Sequence, residues 1–212
     1  MPASGPAQTD RLNATLVQMR PDRAEKPGAV RPSKPNRQNK AARKKPAGKP
    51  FSRKALIEPL LDKLAETRDA ETARAIADAI RKLWIRSGSP TVDLLMSQVV
   101  AATSKKDISK ALAMLDAIVE IAPDYAEGWN RRATVLYGRR AFDASIADIS
   151  RVLELQPRHF GALAGLGLVL QALGEKKSAL AAFRRALAVH PFLAGPLKAV
   201  KQLETEVEGQ GI

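Results

Sequence analysis

Two histidines, a glycine-rich heptapeptide and two large aromatics are the residues of this sequence whose types could support chemistry. His159 and His190 could serve as acid–base groups or metal ligands. The run GALAGLG (161–167) could offer backbone amides to a phosphate, and Trp129 and Phe183 could stack a flat ligand. Each lacks what its chemistry requires. The histidines have no paired carboxylate or hydroxyl beside them in the sequence pattern, and two imidazoles without cysteine make a poor transition-metal site. No strand-like run precedes GALAGLG, so the strand–loop–helix geometry of a phosphate loop is missing. The acidic residues are scattered along helix faces, where solvated positions are the default. Nothing assembles into nucleophile, base and oxyanion hole. The reading is of a non-enzymatic chain that needs no cofactor and no metal.

The elements that carry these residues follow a strict rhythm. Pro123, Pro157 and Pro191 stand 34 residues apart, each closing a strongly helical run, as in LELQPRH (153–159). A proline cannot donate a backbone hydrogen bond and clashes with the turn before it, so a helix must end there. Its fixed φ suits the start of the next helix. Aligned on the prolines, the chain divides into 92–125, 126–159 and 160–193. Each copy shows two apolar stripes at helical spacing, broken at Lys106-Asp107, Arg140-Ala141 and Gly174-Glu175. The unit is a helical hairpin whose apolar face only a neighbouring hairpin can cover.

The three copies resemble the tetratricopeptide repeat (TPR) family in register. The family's large–small–large and small–large–small–proline positions are filled by Trp129, Ala133, Leu136, Ser145, Ile149, Val152 and Pro157 in the middle copy. The last copy supplies Leu163, Gly167, Leu170, Ala179, Phe183, Ala186 and Pro191, and the first Leu95, Val99, Ala102, Ala111, Leu115, Ile118 and Pro123. Val99 and Ile118 are large where the pattern wants small, so looser packing is expected in that copy. Gly167, Trp129 and Phe183 fall at packing positions, which removes the phosphate-loop and stacking readings. The resemblance implies an all-α, right-handed α-solenoid of the kind found in small bacterial adaptors.

Upstream, 52–91 reads as a fourth, degenerate hairpin, with Leu60, Leu61 and Leu64 in one stripe and Ile76, Ile80, Leu83 and Trp84 in the other. Downstream, 194–209 reads as an amphipathic capping helix with Leu197, Val200, Leu203 and Val207 on one face. In the family the first helices of successive hairpins line a concave groove that takes a peptide or a partner helix. Carried over position by position, the groove residues here are Met96, Val100, Asn130, Arg131, Thr134, Tyr137, Leu168 and Gln171. They form an apolar strip beside a polar island, and such a strip calls for a covering segment: a bound partner or, alternatively, the upstream hairpin or the capping helix. The Lys/Asn/Arg set with which some family members clamp a carboxylate is not met, since Ser97 and Val100 occupy its first positions.

Charge separates the ends of the chain. Through Ala55 there are 14 Lys/Arg against three acids, so this arm carries +11 of the net +13 and leaves the remainder nearly neutral. Eight of the 14 prolines also fall in the first 50 residues, and such a composition reads as a disordered arm over 1–51. Its Arg37, Lys40, Arg43, Lys44, Lys45 and Lys49 could neutralise phosphates of a nucleic acid or an anionic surface without reading sequence. The alternative is a solubilising tail, or an over-extended start. No cysteine, no membrane-spanning run and no secretory leader are legible, so a reducing, cytoplasmic setting is expected. The function expected is that of a protein-binding adaptor, with the polyanion tether as the rival reading.

Overall fold

The computed structural model describes residues 53–208, and among these there are nine helices and no strand. They run α1 Arg53–Glu66, α2 Ala70–Ile85, α3 Pro90–Ser104, α4 Ile108–Ile121, α5 Ala126–Gly138, α6 Phe142–Leu155, α7 Phe160–Ala172, α8 Lys176–Val189 and α9 Ala194–Glu208. The basic residues proposed above to meet polyanions lie outside the described residues. No described helix is long and apolar enough to cross a membrane.

The hairpins α3–α4, α5–α6 and α7–α8 are closed by the same turn three times. Lys106, Arg140 and Gly174 have φ of 60°, 61° and 81°. The amide of the following residue reaches back to the last turn of the helix: Asp107 to Ala102 O, Ala141 to Leu136 O and Glu175 to Leu170 O, each at 2.9 Å. Lys106, Arg140 and Gly174 donate to Thr103, Tyr137 and Gln171 at 2.9–3.1 Å. Together these are the paired bonds of a Schellman cap, which needs a left-handed residue and favours glycine. Only the last copy has one. The junctions between hairpins repeat as well. Ala122, Gln156 and His190, each just before its proline, donate to Ile118 O, Val152 O and Ala186 O.

Inside the stack, small residues let helices touch. A Cβ on Gly167 would come within 2.7 Å of three ring carbons of Phe183, which is 1 % exposed. Ser145 is fully buried and donates to Ala133 O across its hairpin at 2.9 Å. The looser packing expected around Val99 and Ile118 is not found. Both are buried, and the extra bulk of Ile118 is taken up by Gly128 of the next hairpin, where a Cβ would come within 2.8 Å of Ile118 Cγ2. At the far end α9 packs Leu203, Ala199 and Val200 on α7–α8, flanked by Lys176–Glu206 and Arg184–Glu204 ion pairs at 3.1 and 2.7 Å. Leu197, assigned to the buried face from its spacing, is 44 % exposed instead, and Pro196 is the buried residue of that first turn.

The upstream hairpin does not simply extend the row of hairpins from the α3 end. Helix α1 packs on α8 and α2 packs on α5. Ile57, Leu61, Leu64, Ile76, Ile80 and Trp84 share one core with Phe160, Leu163, Ala186 and Val189 of the third repeat. Arg158 anchors α1 by ion pairs to Asp62 at 2.6 Å and Glu58 at 3.4 Å. The reversal is made in the loop before α3, where Gly88 has φ 88° and Ser87 donates its amide and hydroxyl to Asp93 at 2.9 and 2.6 Å.

Two substitutions should move stability in opposite directions. Lys106→Gly removes left-handed strain and is expected to stabilise by ~0.5–1 kcal/mol after the entropy of the unfolded glycine is counted. Gly167→Ala overpacks Phe183 and is expected to cost about 1–3 kcal/mol. Urea unfolding monitored by circular dichroism measures both.

Candidate functional site: a trough across three helices

A trough runs across α3, α5 and α7, with the last turn of α2 rising beside it. Its first hollow, about 260 Å³, is lined mainly by apolar surface from Ile85, Met96 and Val100, with Arg86, Asp93, Ser97 and Arg131 at its rim. The second, about 220 Å³, lies between Arg81, Trp84 and Ile85 of α2 and Asn130, Arg131 and Thr134 of α5, with His159, Phe160 and Gly161 beyond. The third, about 70 Å³, takes in Tyr137, Gly165 and Leu168 beside Asn130 and Thr134. Shared walls join them: Ile85 and Arg131 belong to the first two, Asn130, Thr134 and Gly161 to the last two.

The groove residues named from the repeat pattern are thus distributed along this trough with two qualifications. Met96 is buried in its floor, 6 % exposed, so it shapes the hollow more than it presents a contact. Gln171 is half-buried and lines none of the three hollows. Val100 and Leu168 are exposed at 52 % and 44 %, and Ile85 adds a third apolar side chain at 45 %.

The polar island is built around Glu127, which is nearly buried. Arg131 Nε donates to its Oε1 at 2.7 Å and Asn130 Nδ2 to its Oε2 at 3.0 Å. His159 caps α7 by accepting the Ala162 amide on Nδ1 at 3.0 Å, which places the ring proton on Nε2, 3.5 Å from Glu127 Oε2. The expectation that the histidines have no carboxylate partner therefore fails at His159. Glu127 and His159 are 32 residues apart, near opposite ends of one copy, and stacking the next hairpin brings those ends together. Burial acts to raise the Glu127 carboxyl, but the His159 imidazole and the Arg131 guanidinium outweigh it and hold the group below the ordinary carboxylate range. Burial first, then the charge of Arg81, pushes the His190 imidazole down.

Trp84 completes the wall. Its ring stacks on His159 with centroids 4.0 Å apart and planes 15° apart, and it meets Phe160 at 4.9 Å. Tyr125 donates its hydroxyl to Ile85 O at 2.5 Å, fixing the end of α2 against the start of α5. A second buried acid was missed by reading acids as solvated: Asp148 receives Arg132 through two bonds of 2.7 and 2.8 Å, and Arg132 also reaches Asp116 at 2.9 Å, tying α4, α5 and α6. The arrangement sets apolar surface along a concavity beside hydrogen-bonding side chains of the island. Among the described residues no group of three or more His, Cys, Asp or Glu could hold a metal ion.

Comparison with known proteins agrees with this architecture. The tetratricopeptide repeat family model matches residues 130–194. A TPR repeat-containing protein of Rhizobium etli is 40 % identical over 140 residues, covering 66 % of this chain and 69 % of the relative. The chain belongs to the tetratricopeptide repeat family. Among solved structures, MamA superposes with a TM-score of 0.52 at 20 % identity, over 71 % of this chain and 84 % of MamA. The first TPR of Spaghetti (RPAP3), bound to the HSP90 peptide SRMEEVD, superposes with a TM-score of 0.53 at 14 % identity, over 55 % of this chain and 93 % of that domain. At these identities the likeness is one of fold.

Because the folded pKa of Glu127 lies below its unfolded one, its ionised form stabilises the fold fully above the ordinary carboxylate range. That contribution is lost as pH falls through the lowered folded value. Glu127→Gln is therefore expected to be less stable than the parent at pH 7, with the difference closing below pH about 4. Urea midpoints measured across pH check the sign.

Proposed function

We propose that the protein is a non-catalytic adaptor that holds a peptide or helix of a partner protein in the trough across α3, α5 and α7. One observation carries this reading: Ile85, Val100 and Leu168 leave apolar surface open along a continuous concavity. Isolated apolar side chains on a surface need no explanation, but a connected concave set is what a docked segment covers. Helices of the same fold serve as protein-interaction modules, and the Spaghetti domain is one that holds a peptide. The apolar first hollow favours a partner segment with aliphatic anchors over an acidic tail, in line with the unmet clamp pattern.

Val100→Asp and Leu168→Asp place a charge where an apolar anchor would sit, at exposed positions where folding stability should change by less than about 0.5 kcal/mol. Each is expected to lose a partner captured by the full chain from its source cells by tenfold or more. Leu94→Asp, equally exposed but lining none of the three hollows, should retain it. Quantitative mass spectrometry of parallel captures measures this, and equal loss from all three variants would remove the trough from the account.

A further inference from the structure

The turns of the hairpins α3–α4, α5–α6 and α7–α8 lie side by side along one edge of the stack, opposite the proline junctions. That edge is basic. Lys105 and Lys106 stand at the first turn, with Lys110 just beyond it, Arg139 and Arg140 at the second, and Lys176 and Lys177 at the third. All are exposed. Lys176 pairs with Glu206 at 3.1 Å. The others make no ion pair among the described residues, and Arg140 lies over the Phe142 ring at 5.7 Å. The acids of the same turns are Asp107, which accepts the Lys110 amide at 3.1 Å, Asp143 and Glu175, so the excess of positive charge is largest at the first two turns.

Local structure does not account for these cations. A lysine or arginine at a helix C-terminus suits the partial negative charge there, which explains Lys105 and Arg139. Lys106 and Arg140 occupy left-handed positions, φ 60° and 61°, where glycine fits without strain, as Gly174 does in the third turn. Lys110, Lys176 and Lys177 lie in the first turns of α4 and α8, where the helix dipole favours acids, and neither helix has an acid there beyond its N-cap. Five side chains thus stand against their local preference, all on one edge and all of one sign. Local rules broken together in one place mark a surface that answers to something outside the fold.

From this concentration we infer that the turn edge of the repeats binds the phosphate backbone of a double-stranded nucleic acid without reading its sequence. Interfaces with nucleic acid are polar and strongly positive, whereas those with proteins gather apolar residues at their core. Of the exposed large apolar side chains among the described residues, only Leu173 stands at these turns. Phe142, half-buried under Arg140, is not open to stack an unpaired base, which favours a duplex over a single strand. Packed helices lie about 10 Å apart, so three turns in a row span roughly 20 Å, along which a duplex presents about a dozen phosphate charges. These residues are separate from the basic segment 1–51, and the inference does not depend on the trough.

The test is fluorescence anisotropy of a labelled DNA duplex of about 20 base pairs, titrated over a range of salt with three full-length chains. They are the parent, an edge variant (Lys106→Gly/Lys110→Gln/Arg140→Gly/Lys177→Gln), and a control of equal charge, Arg74→Gln/Lys82→Gln/Lys198→Gln/Lys201→Gln, at exposed positions on α2 and α9. Residues 1–52 are unchanged in all three. Glycine suits both altered turns, so circular dichroism is expected to show the edge variant melting no lower than the parent, and binding is read where all three are folded. The edge variant is expected to bind at least about tenfold more weakly than the parent at about 0.1 M salt, with the slope of log K against log salt flatter by about 2–4, while the control stays within about threefold of the parent. Equal losses in the edge variant and the control, or no loss in either, would overturn the inference, because charge away from this edge would then account for binding. So would a parent that binds no duplex, or one that prefers one of two unrelated duplex sequences by about tenfold or more. Displacement of the duplex by polyglutamate of matched charge as effectively as by unlabelled duplex would overturn it too, since the edge would then take an acidic protein.

Discussion

The turn inside each hairpin governs what the rest of the molecule can do. A Schellman pair of hydrogen bonds recurs at Lys106, Arg140 and Gly174, and each fixes the angle at which the second helix returns along the first. The geometry is held even where lysine and arginine must adopt a left-handed backbone, so the surrounding contacts outweigh a local penalty of about 1–2 kcal/mol. With that angle fixed, the small residues Ala133 and Gly167 come against their partner helices, and successive first helices line up as one wall of a trough. A hairpin closed differently would splay its first helix out of that wall.

Much of this was legible because it is local or periodic. The prolines mark helix ends for a reason that acts within four residues, and the turn positions repeat with them at the same interval. The apolar stripes identify which faces meet. Leu197 escaped because one amphipathic turn near a helix start does not say which of two adjacent residues faces inward; Pro196 took that place. Ile118 escaped for a different reason. Its bulk is offset by Gly128 in the next hairpin, a pairing that a single-copy pattern does not contain.

The candidate site was only partly legible, and the boundary is physical. Positions on the first helices follow from the repeat, so Val100, Asn130, Arg131, Thr134 and Leu168 were nameable in advance. Glu127 and His159 meet across a repeat junction, and recognising the pair required knowing that one copy's second residue lies beside its last. Trp84, Arg81 and Ile85 were beyond reach. Helix propensity and apolar spacing establish that 52–91 forms a hairpin, but they do not encode which surface that hairpin packs against. Phe160, Leu163 and Val189 determine this, through contacts between residues some 80 to 130 positions apart in sequence.

That placement changes what the trough can accept. In an open row of hairpins the concave face would be free at both ends. Here Trp84 is locked on His159 and Tyr125 holds the Ile85 carbonyl, so the end of α2 is fixed beside α5 as a rigid border. The same border supplies Ile85 to the apolar hollow and Arg81 to the polar one. On the proposed docking, a segment along the trough would meet aliphatic surface at α3 and a charge-paired island at α5, so its two halves are expected to differ in the same sense. Glu127 sharpens the distinction: with its carboxylate already engaged by Arg131 and Asn130, the island offers hydrogen-bonding groups rather than a bare charge. Under that proposal, selectivity comes from where apolar anchors fall along the docked segment.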